Sequence, residues 1–372
     1  MFCATNSENN MKRTIIAALA AGGLAACGGG GSSGASAPTG TGSTTTPPAA
    51  TVALIAAPGA SAGSFTATGD VVNDTLAYIN HQRAQVGLPA LAFQSGVAQA
   101  AANHSVWEQD NNAIGHYETA GQAGYTGISP SDRVNQFYAT NSVGEITAGF
   151  TGAFSNSTEA IQALFDAPFH RAITLFDSVY AGPGVATTTN SSQLSTLTVD
   201  FADHKPFIGE GQLVAWPYNG MAGVNTGWLA NESPNPVAAY NNGSLVGAVV
   251  GYPATLSGGD NAAFSNVSFT IADAAGNNVP CVETDSSNNV DATREAMCVP
   301  IARLAKNTTY TVKVSGTLTN TSLAATAFSV SWTFTTAATD NAPIGAPASA
   351  NAQASGKATA KAAAQPRRVI LN

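Results

Sequence analysis

The spacing of apolar residues between Asp74 and Asn111 predicts two helices. Residues three or four positions apart share the first helical face, namely Leu76, Ile79, Arg83 and Val86. Because this is the period of an amphipathic helix, the pattern predicts one that ends at Gly87-Leu88-Pro89. A second face of the same period consists of Val97, Ala100, Ala101, His104 and Trp107 or Glu108. The stretch 111–128 lacks the period and is predicted to be a loop.

Two more helices are predicted between residues 129 and 168. Ser129 is a suitable N-cap, Pro130 fits the first helical position, and Asp132 lies three residues after the cap. A fourth helix begins near Ser157 and places Ile161, Leu164 and Phe165 inward before Pro168 ends it.

The period then changes to that of β-strands. The segments "SVYAGPGVAT" and "STLTVDFAD" are predicted to pair, with Leu197, Val199 and Phe201 alternating inward. Helices followed by a short sheet indicate a compact α+β domain over residues 71–205. Four β-rich runs separated by turn residues predict an all-β sandwich over residues 206–337: "SLVGAVVGY", "VSFTIAD", "TYTVKVSGT" and "FSVSWTFTT".

The N-terminal pattern is that of an exported protein. Met11-Lys12-Arg13 precedes an apolar run too short to span a bilayer, which ends in Leu24-Ala25-Ala26-Cys27 and resembles a bacterial lipobox. Residues 1–27 are therefore predicted to be a lipoprotein signal peptide whose true start is Met11. Cys27 would carry the lipid and anchor the protein to a membrane of the bacterial cell envelope. An ordinary secretory signal is the alternative, and it also predicts export.

Composition agrees with export and excludes a nucleic-acid partner. Only 10% of residues are charged, the net charge is −8, and Lys and Arg cluster nowhere except in the last few residues. Residues 28–70 are predicted to be a flexible linker and residues 338–372 a disordered tail. In an oxidising compartment Cys281 and Cys298 are expected to form a disulfide.

All five histidines (81, 104, 116, 170 and 204) fall within residues 71–205. His104, on an apolar helix face, is expected to be a satisfied core residue, and His81 and His204 surface residues. His116 and His170 are each predicted to lie where regular structure breaks, and Glu145 lies between them in the sequence, beside a glycine. Two imidazoles, a carboxylate and water could hold zinc with one open position, or they could form a hydrogen-bonded network without metal.

The order of several short motifs resembles the CAP superfamily, which includes cysteine-rich secretory proteins, insect antigen 5 and plant pathogenesis-related proteins. The segments that match it are "INHQRAQVGLPALAFQSGVAQAAANHS", "GHYE", "SPSDR", "VGE", "LFDAPFHRAITLFDSVYAGPGVA" and "TLTVDF". The resemblance covers about 135 residues. It implies an α-β-α sandwich with a shallow cleft built around two histidines and two acidic residues.

The resemblance assigns three cleft residues directly: His116, Glu145 and His170. Three positions depart from the family pattern, namely Ile146, Leu164 and Ala167, where the family has Asn, Trp and a second glutamate. Glu118 or Asp166 could replace the missing carboxylate. His116 and His170 would be the ligands of zinc or another divalent cation. In the β region, "LAKNTTYTVKVSGTLT" and "FSVSWTFTT" resemble a bacterial immunoglobulin-like module.

Two functions follow from this sequence. In the first, the protein binds a divalent cation, an apolar ligand or an envelope or surface protein in the cleft. In the second, it is a hydrolase of the peptidase or esterase type that uses His116, Glu145 and His170 with a zinc-activated water or as acid and base. His-Glu-x-x-His does not occur, and Gly-x-Ser-x-Gly occurs only in the predicted linker, at residues 30–34 and 59–63, and not as an elbow between a strand and a helix, which favours binding. Arg133 and Arg171 are expected to be ion-pair partners.

Overall fold

The computed structural model of the chain describes residues 51–347 and 367–372. The predicted signal peptide, Cys27 and most of the predicted linker lie outside these ranges. Within them, no helix has both the length and the apolar character that a membrane crossing requires.

The described residues contain five α-helices and sixteen β-strands. The helices are α1 Val71–Gln85, α2 Ser95–Asn111, α3 Pro130–Val134, α4 Glu159–Asp166 and α5 Pro168–Leu175. The first eight strands are β1 Ala53–Leu54, β2 Ala92–Phe93, β3 Val143–Thr151, β4 Ser178–Ala186, β5 Leu194–His204, β6 Gln212–Trp216, β7 Met221–Val224 and β8 Gly227–Leu229. The others are β9 Val249–Gly251, β10 Ala254–Gly258, β11 Ala263–Ala272, β12 Cys281–Asp285, β13 Glu295–Pro300, β14 Thr309–Thr319, β15 Thr326–Thr336 and β16 Val369–Leu371.

The α+β domain is a five-stranded sheet with helices on both faces. The strand order is β16-β3-β5-β4-β2. Successive side chains of a strand point to opposite faces, and β3 shows the result. Ile146 and Ala148 are buried in the core that contains Ile161 of α4, whereas Thr147 bonds Glu108 of α2 on the other face. The predicted α-β-α arrangement is confirmed.

Helix α2 lies unusually close to the sheet because β4 presents two glycines to it. A Cβ added to Gly182 would lie 2.2 Å from the backbone nitrogen of Ala98, and one added to Gly184 would lie 2.0 Å from that of Ala102. Only glycine permits such an approach of backbones. The approach brings the polar side chains of α2 within reach of β3 and β5.

Helix boundaries agree with the sequence prediction except around Pro168. Ser129 caps α3 in a capping box with Asp132, as predicted. The prediction that regular structure breaks at His170 is wrong, since Pro168 begins a further helix, α5. Proline has no N–H to continue α4, but its fixed φ suits the first position of the next helix. Glu145, beside Gly144, lies in β3.

The β region consists mainly of two sheets that share one apolar core. The first sheet has the order β1-β6-β10-β13-β12 and the second β11-β14-β15-β7. Alternate residues of β15 are buried, namely Phe328, Val330, Trp332 and Phe334. The predicted disulfide between Cys281 and Cys298 joins the neighbouring strands β12 and β13.

Two segments that were predicted to lack structure are ordered in part. Residues 51–70 contain β1, which pairs in parallel with β6, and Thr68 and Gly69, whose backbone N–H groups donate to Asp74. Residues 367–372 contain β16, which pairs antiparallel with β3. The linker and tail predictions are therefore wrong for these segments, because short apolar runs in polar surroundings still gain ladder hydrogen bonds at a sheet edge. Residues 338–347 of the predicted tail are also described, and Asn341 exchanges hydrogen bonds with the backbone of Gly227. Residues 348–366 lie outside the described residues.

Candidate functional site

A buried group of six ionisable side chains lies between α2, α3 and the sheet, and we call it the buried network. Its members are His104, Glu108, Glu118, Arg133, Glu145 and Asp200, each no more than 5% exposed. They come from helices α2 and α3, strands β3 and β5, and the loop after α2.

His104 is the central cation of the buried network. Its Nδ1 lies 2.9 Å from Oε1 of Glu118, and its Nε2 lies 2.9 Å from the carbonyl oxygen of Gly115. Burial alone lowers the pKa of His104, but the bond to Glu118 and the charges of Glu108 and Glu145 outweigh it and raise the pKa. Since both ring nitrogens face acceptors, the ring carries two protons. The prediction of a satisfied core histidine is confirmed.

Glu118 is the anion that His104 requires. Burial raises the pKa of Glu118, but bonds from His104 and from the backbone N–H groups of Thr126 and Gly127 outweigh burial and lower it. Glu118 was expected to replace a missing cleft carboxylate. Instead its oxygens are occupied by His104 and by the loop 126–127.

Glu145 connects the buried network to the surface through His116. One oxygen of Glu145 lies 2.9 Å from Nδ1 of His116, and the other accepts from Arg133 at 2.5 Å. Burial opposes ionisation, but His116, His104 and Arg133 outweigh it and lower the pKa of Glu145 to about 2. The ion pair predicted for Arg133 is confirmed. The side chain of His116 is 30% exposed.

The two remaining acids of the buried network hold protons near neutral pH. Burial raises the pKa of Glu108 to about 8. Asp200 lies directly across from Glu145 on the neighbouring strand, and burial beside that carboxylate raises its pKa well above the usual value. Two cations, His104 and Arg133, therefore balance two carboxylates.

His170 belongs to a different pair, whose acid comes from outside residues 71–205. Its Nδ1 lies 2.8 Å from Oε2 of Glu232, and the backbone N–H of Phe169 donates to the same oxygen. Glu232 follows β8 and is 3% exposed. Its other oxygen, Oε1, is buried and has no hydrogen-bond partner in the described part of the chain. Burial raises the pKa of Glu232.

Asp166 faces the β region instead of the histidines. It accepts from the hydroxyl of Tyr252 at 2.8 Å and from the amide of Asn225 at 3.3 Å, and burial raises its pKa to about 6. Arg171 donates to Tyr252 and to the carbonyl of Pro253 rather than forming the predicted ion pair.

The five predicted cleft residues thus divide among four bonded groups. His116 and Glu145 are joined as expected, Glu118 pairs with His104, His170 pairs with Glu232, and Asp166 pairs with Tyr252. Sequence reasoning missed Glu232. No motif surrounds it in "LANESPNP", and it lies 62 positions from His170, so the sequence contains no signal for the pair.

The two histidine pairs share one geometric feature. In each, Nδ1 faces a buried carboxylate, and Nε2 has no hydrogen-bond partner among the residues that the structure describes. A metal-binding histidine commonly has this arrangement, because the carboxylate fixes the tautomer and leaves the other nitrogen unprotonated. Within 51–347 and 367–372, however, no three His, Cys, Asp or Glu side chains form a metal-binding group. Each histidine could thus supply one imidazole ligand, but the described residues around it do not complete a metal site.

Large apolar side chains are exposed beside His116. Tyr117 is 69% exposed, and Ile128 is 54% exposed. The backbone bond from Glu118 to Ile128 places these two segments side by side. Tyr125, in the loop before α3, and Phe137, in the turn after α3, are also exposed. An exposed apolar group of this kind is typical of a contact surface.

Comparison with known proteins assigns this part of the chain to a family. The model of the cysteine-rich secretory protein family, CAP, matches residues 76–201. These residues are a CAP domain. They include the loop after α2, strand β3 and helix α5, which carry His116, Glu145 and His170. No curated protein matches the chain.

Three solved structures are similar to parts of the chain. An extracellular protein with an SCP domain from Bacillus anthracis is 23% identical over 36% of this chain and 40% of its own, with a TM-score of 0.28. An outer surface protein of Borrelia burgdorferi is 18% identical over 38% of this chain and 99% of its own, with a TM-score of 0.31. CopC from Methylosinus trichosporium is 15% identical over 37% of this chain and 99% of its own, with a TM-score of 0.23. This chain thus spans less than half of the Bacillus anthracis protein.

Proposed function

We propose that the chain is an exported CAP-domain protein of the bacterial cell envelope that binds a divalent cation through Nε2 of His116 and of His170. The observation that carries the proposal is the shared arrangement of these two rings. Each has its Nδ1 beside a buried carboxylate, Glu145 or Glu232, and in the described part of the chain Nε2 has no hydrogen-bond partner in either ring.

The surroundings of each ring support a cation at Nε2. The carboxylates hold a proton on Nδ1, so Nε2 presents its lone pair. Glu232 also has a buried oxygen, Oε1, without a partner, which would gain from a nearby positive charge. A bound cation would supply that charge and would keep open positions for water or for a ligand group.

The exposed side chains beside His116 suggest what completes the site. Tyr117 and Ile128 provide apolar surface next to the accessible ring. A partner with an apolar part and a polar donor atom would cover them and fill an open position of the cation. This supports an apolar ligand or an envelope or surface protein as the partner of the CAP domain.

The lowered pKa values of Glu145 and Glu118, two carboxylates beside histidines, favour a binding function over hydrolysis. A general base works best when its pKa lies near the working pH. The pKa of Glu145 is lowered to about 2 and the carboxylate is engaged by Arg133 and His116, so Glu145 is a weak base. Glu118 is likewise engaged by His104, and its pKa is also lowered.

The export and anchoring part of the proposal rests on the N-terminal pattern. A basic segment, a short apolar run and Leu24-Ala25-Ala26-Cys27 together direct export and lipidation at Cys27. We expect Cys27→Ala to move the protein from the membrane fraction to the soluble fraction of an expressing bacterium. Continued membrane association of that variant would exclude Cys27 as the anchor.

Zinc titration tests the cation site. We expect one zinc ion per chain for the wild type in isothermal titration calorimetry, and at least about tenfold weaker binding for His116→Ala and for His170→Ala. His81→Ala is the matched control, because the His81 ring hydrogen-bonds Gln85 and packs near Phe65, and it should bind zinc like the wild type. If the wild type takes up no zinc, or if His81→Ala loses zinc equally, the proposed cation site is wrong.

A further inference from the structure

Strand β16 lies at the edge of the CAP sheet, beside the strand that carries Glu145. Leu371 pairs with Ala148 and Ile370 with Gly149. One residue further, Asn372 exchanges two backbone bonds with Thr147, of 2.7 and 2.9 Å. The backbone bonds between the β16 segment and β3 therefore end at Thr147, two residues from Glu145 along β3.

The other edge of β16 is bonded to the segment that carries Glu232. The backbone N–H of Ser233 donates to the carbonyl of Leu371 at 3.0 Å, and the side-chain amide of Asn231 donates to the carbonyl of Val369 at 3.4 Å. Glu232 itself forms a parallel bridge with Leu371. The two residues that flank Glu232 are thus both tied to the same short strand.

The end of β16 also reaches the loop that carries His116. A Cβ added to Gly115 would lie 3.3 Å from Nδ2 of Asn372, so the Asn372 side chain rests against the backbone just before His116. Residues 367–372 therefore contact residues that lie next to Glu145, to Glu232 and to His116.

The start of the segment is anchored independently of these contacts. Arg367 forms an ion pair of 2.5 Å with Glu159 of α4, donates to the carbonyl of Ala153 and lies over the ring of Phe150. Leu371, at the other end, is only 2% exposed. The exposed side chain of Arg368 lies between these anchors, and its backbone N–H bonds Thr151.

We infer that residues 367–372 are a positioning strand that keeps the His116–Glu145 and His170–Glu232 pairs in one arrangement. The groove between β3 and residues 231–233 recognises this segment as an added strand, through backbone bonds on both edges and a pocket for Leu371. The occupant is a short extended peptide with two leading arginines and an apolar end, "RRVILN". Only the cation readout below rests on the proposed function.

The test is deletion of residues 367–372 from the otherwise complete chain, followed by addition of the synthetic peptide RRVILN. Calorimetry measures whether the peptide binds the shortened protein. Nitrogen-15 chemical shifts of the His170 ring report which nitrogen carries the proton, and circular dichroism reports whether the protein remains folded. Arg368→Ala is the control, since its side chain is exposed between the anchors.

We expect the wild type and Arg368→Ala to hold the proton on Nδ1 of His170 and the shortened protein to lose this preference. The deletion should also weaken zinc binding about tenfold or more. The peptide should bind in a one-to-one ratio and restore both the proton on Nδ1 and the zinc affinity. A merely stabilising strand would restore the melting temperature without changing the tautomer.

The inference is overturned if the shortened, folded protein keeps the proton on Nδ1, or if the peptide binds without changing the ring. If the shortened protein does not fold, Leu371→Ala in the full chain replaces it. An unchanged His170 tautomer in that variant would equally exclude a positioning role. Failure of zinc to bind the wild type would overturn the proposed cation site but would leave the tautomer result intact.

Discussion

At the scale of single residues, the buried network holds its acids in different protonation states. Glu145 is ionised because His116, His104 and Arg133 surround it, whereas Glu108 keeps a proton because burial dominates. Replacing the carboxyl group by an amide should therefore have different consequences at these two positions, although Glu108 of α2 and Glu145 of β3 belong to the same buried network.

The first prediction compares Glu145→Gln with Glu108→Gln in urea denaturation at neutral pH. Glu145→Gln leaves Arg133 buried without its anion and should lower the free energy of unfolding by about 3 kcal/mol. Glu108→Gln replaces a protonated acid by a neutral amide of the same shape and should be neutral or stabilising. Equal losses in the two variants would contradict the assigned protonation states.

The second prediction concerns the pH dependence of the same variants. The folded pKa of Glu145 lies below the ordinary value of 4.5, so its contribution to stability is present above that value and is lost as pH falls towards 2. The deficit of Glu145→Gln relative to the wild type should therefore shrink as pH falls from about 5 to 2. A deficit that stays constant in thermal melts over this range would show that the pKa is not lowered.

In the folded protein the pKa of Glu108 lies above the ordinary value, whereas that of Glu145 lies below it. The pKa of Glu108 is raised to about 8, so the wild type loses stability as pH rises from 4.5 to 8, because only the unfolded chain releases the proton. Relative to the wild type, Glu108→Gln should gain stability over this range and then level off. Thermal melts of both proteins at several pH values measure the difference, and a flat difference would contradict the prediction.

At the scale of elements, local patterns predicted some boundaries and missed others. Ser129 and Asp132 form the predicted capping box because a cap depends on adjacent residues alone. Strand β3 was missed because it is buried on both faces, so Glu145 and Thr147 do not alternate with solvent-facing residues. Helix α5 was missed because Pro168 signals both the end of one helix and the start of another.

The third prediction concerns the contact between α2 and β4. Gly184→Ala would place a methyl group against the backbone of Ala102, so α2 must shift and the variant should lose about 2 kcal/mol or more. Gly144→Ala is the matched control in β3, because its Cβ would meet only Ile173 and Phe201 at ordinary distances of 3.5 Å and more. Similar unfolding free energies for the two variants would show that the close approach does not limit the residue at 184.

At the scale of the whole molecule, the candidate site is larger than the CAP domain that the sequence motifs mark. The order of motifs predicted the α-β-α sandwich and the His116–Glu145 pair. It could not predict Glu232 or β16, because their proximity to His170 and β3 depends on how the β region folds back on the CAP domain. Long-range contacts of this kind leave no periodicity in the sequence.

The fourth prediction tests the contribution of the β region to the site. Glu232→Gln should weaken zinc binding about tenfold or more, because the carboxylate that orients His170 is lost. Glu210→Gln is the control, since Glu210 is a half-buried glutamate of the same region that accepts a hydrogen bond from Ser322. Calorimetric titration measures both, and equal zinc affinities in the two variants would exclude Glu232 from the site.

The zinc K-edge X-ray absorption spectrum of the wild-type protein, loaded with one equivalent of zinc, tests directly whether His116 and His170 bind one cation. We expect two imidazole ligands with Zn–N distances of about 2.0 Å, and the loss of one imidazole from the spectrum in each of His116→Ala and His170→Ala. A spectrum with oxygen ligands alone, or one unchanged in both variants, would contradict the proposed cation site.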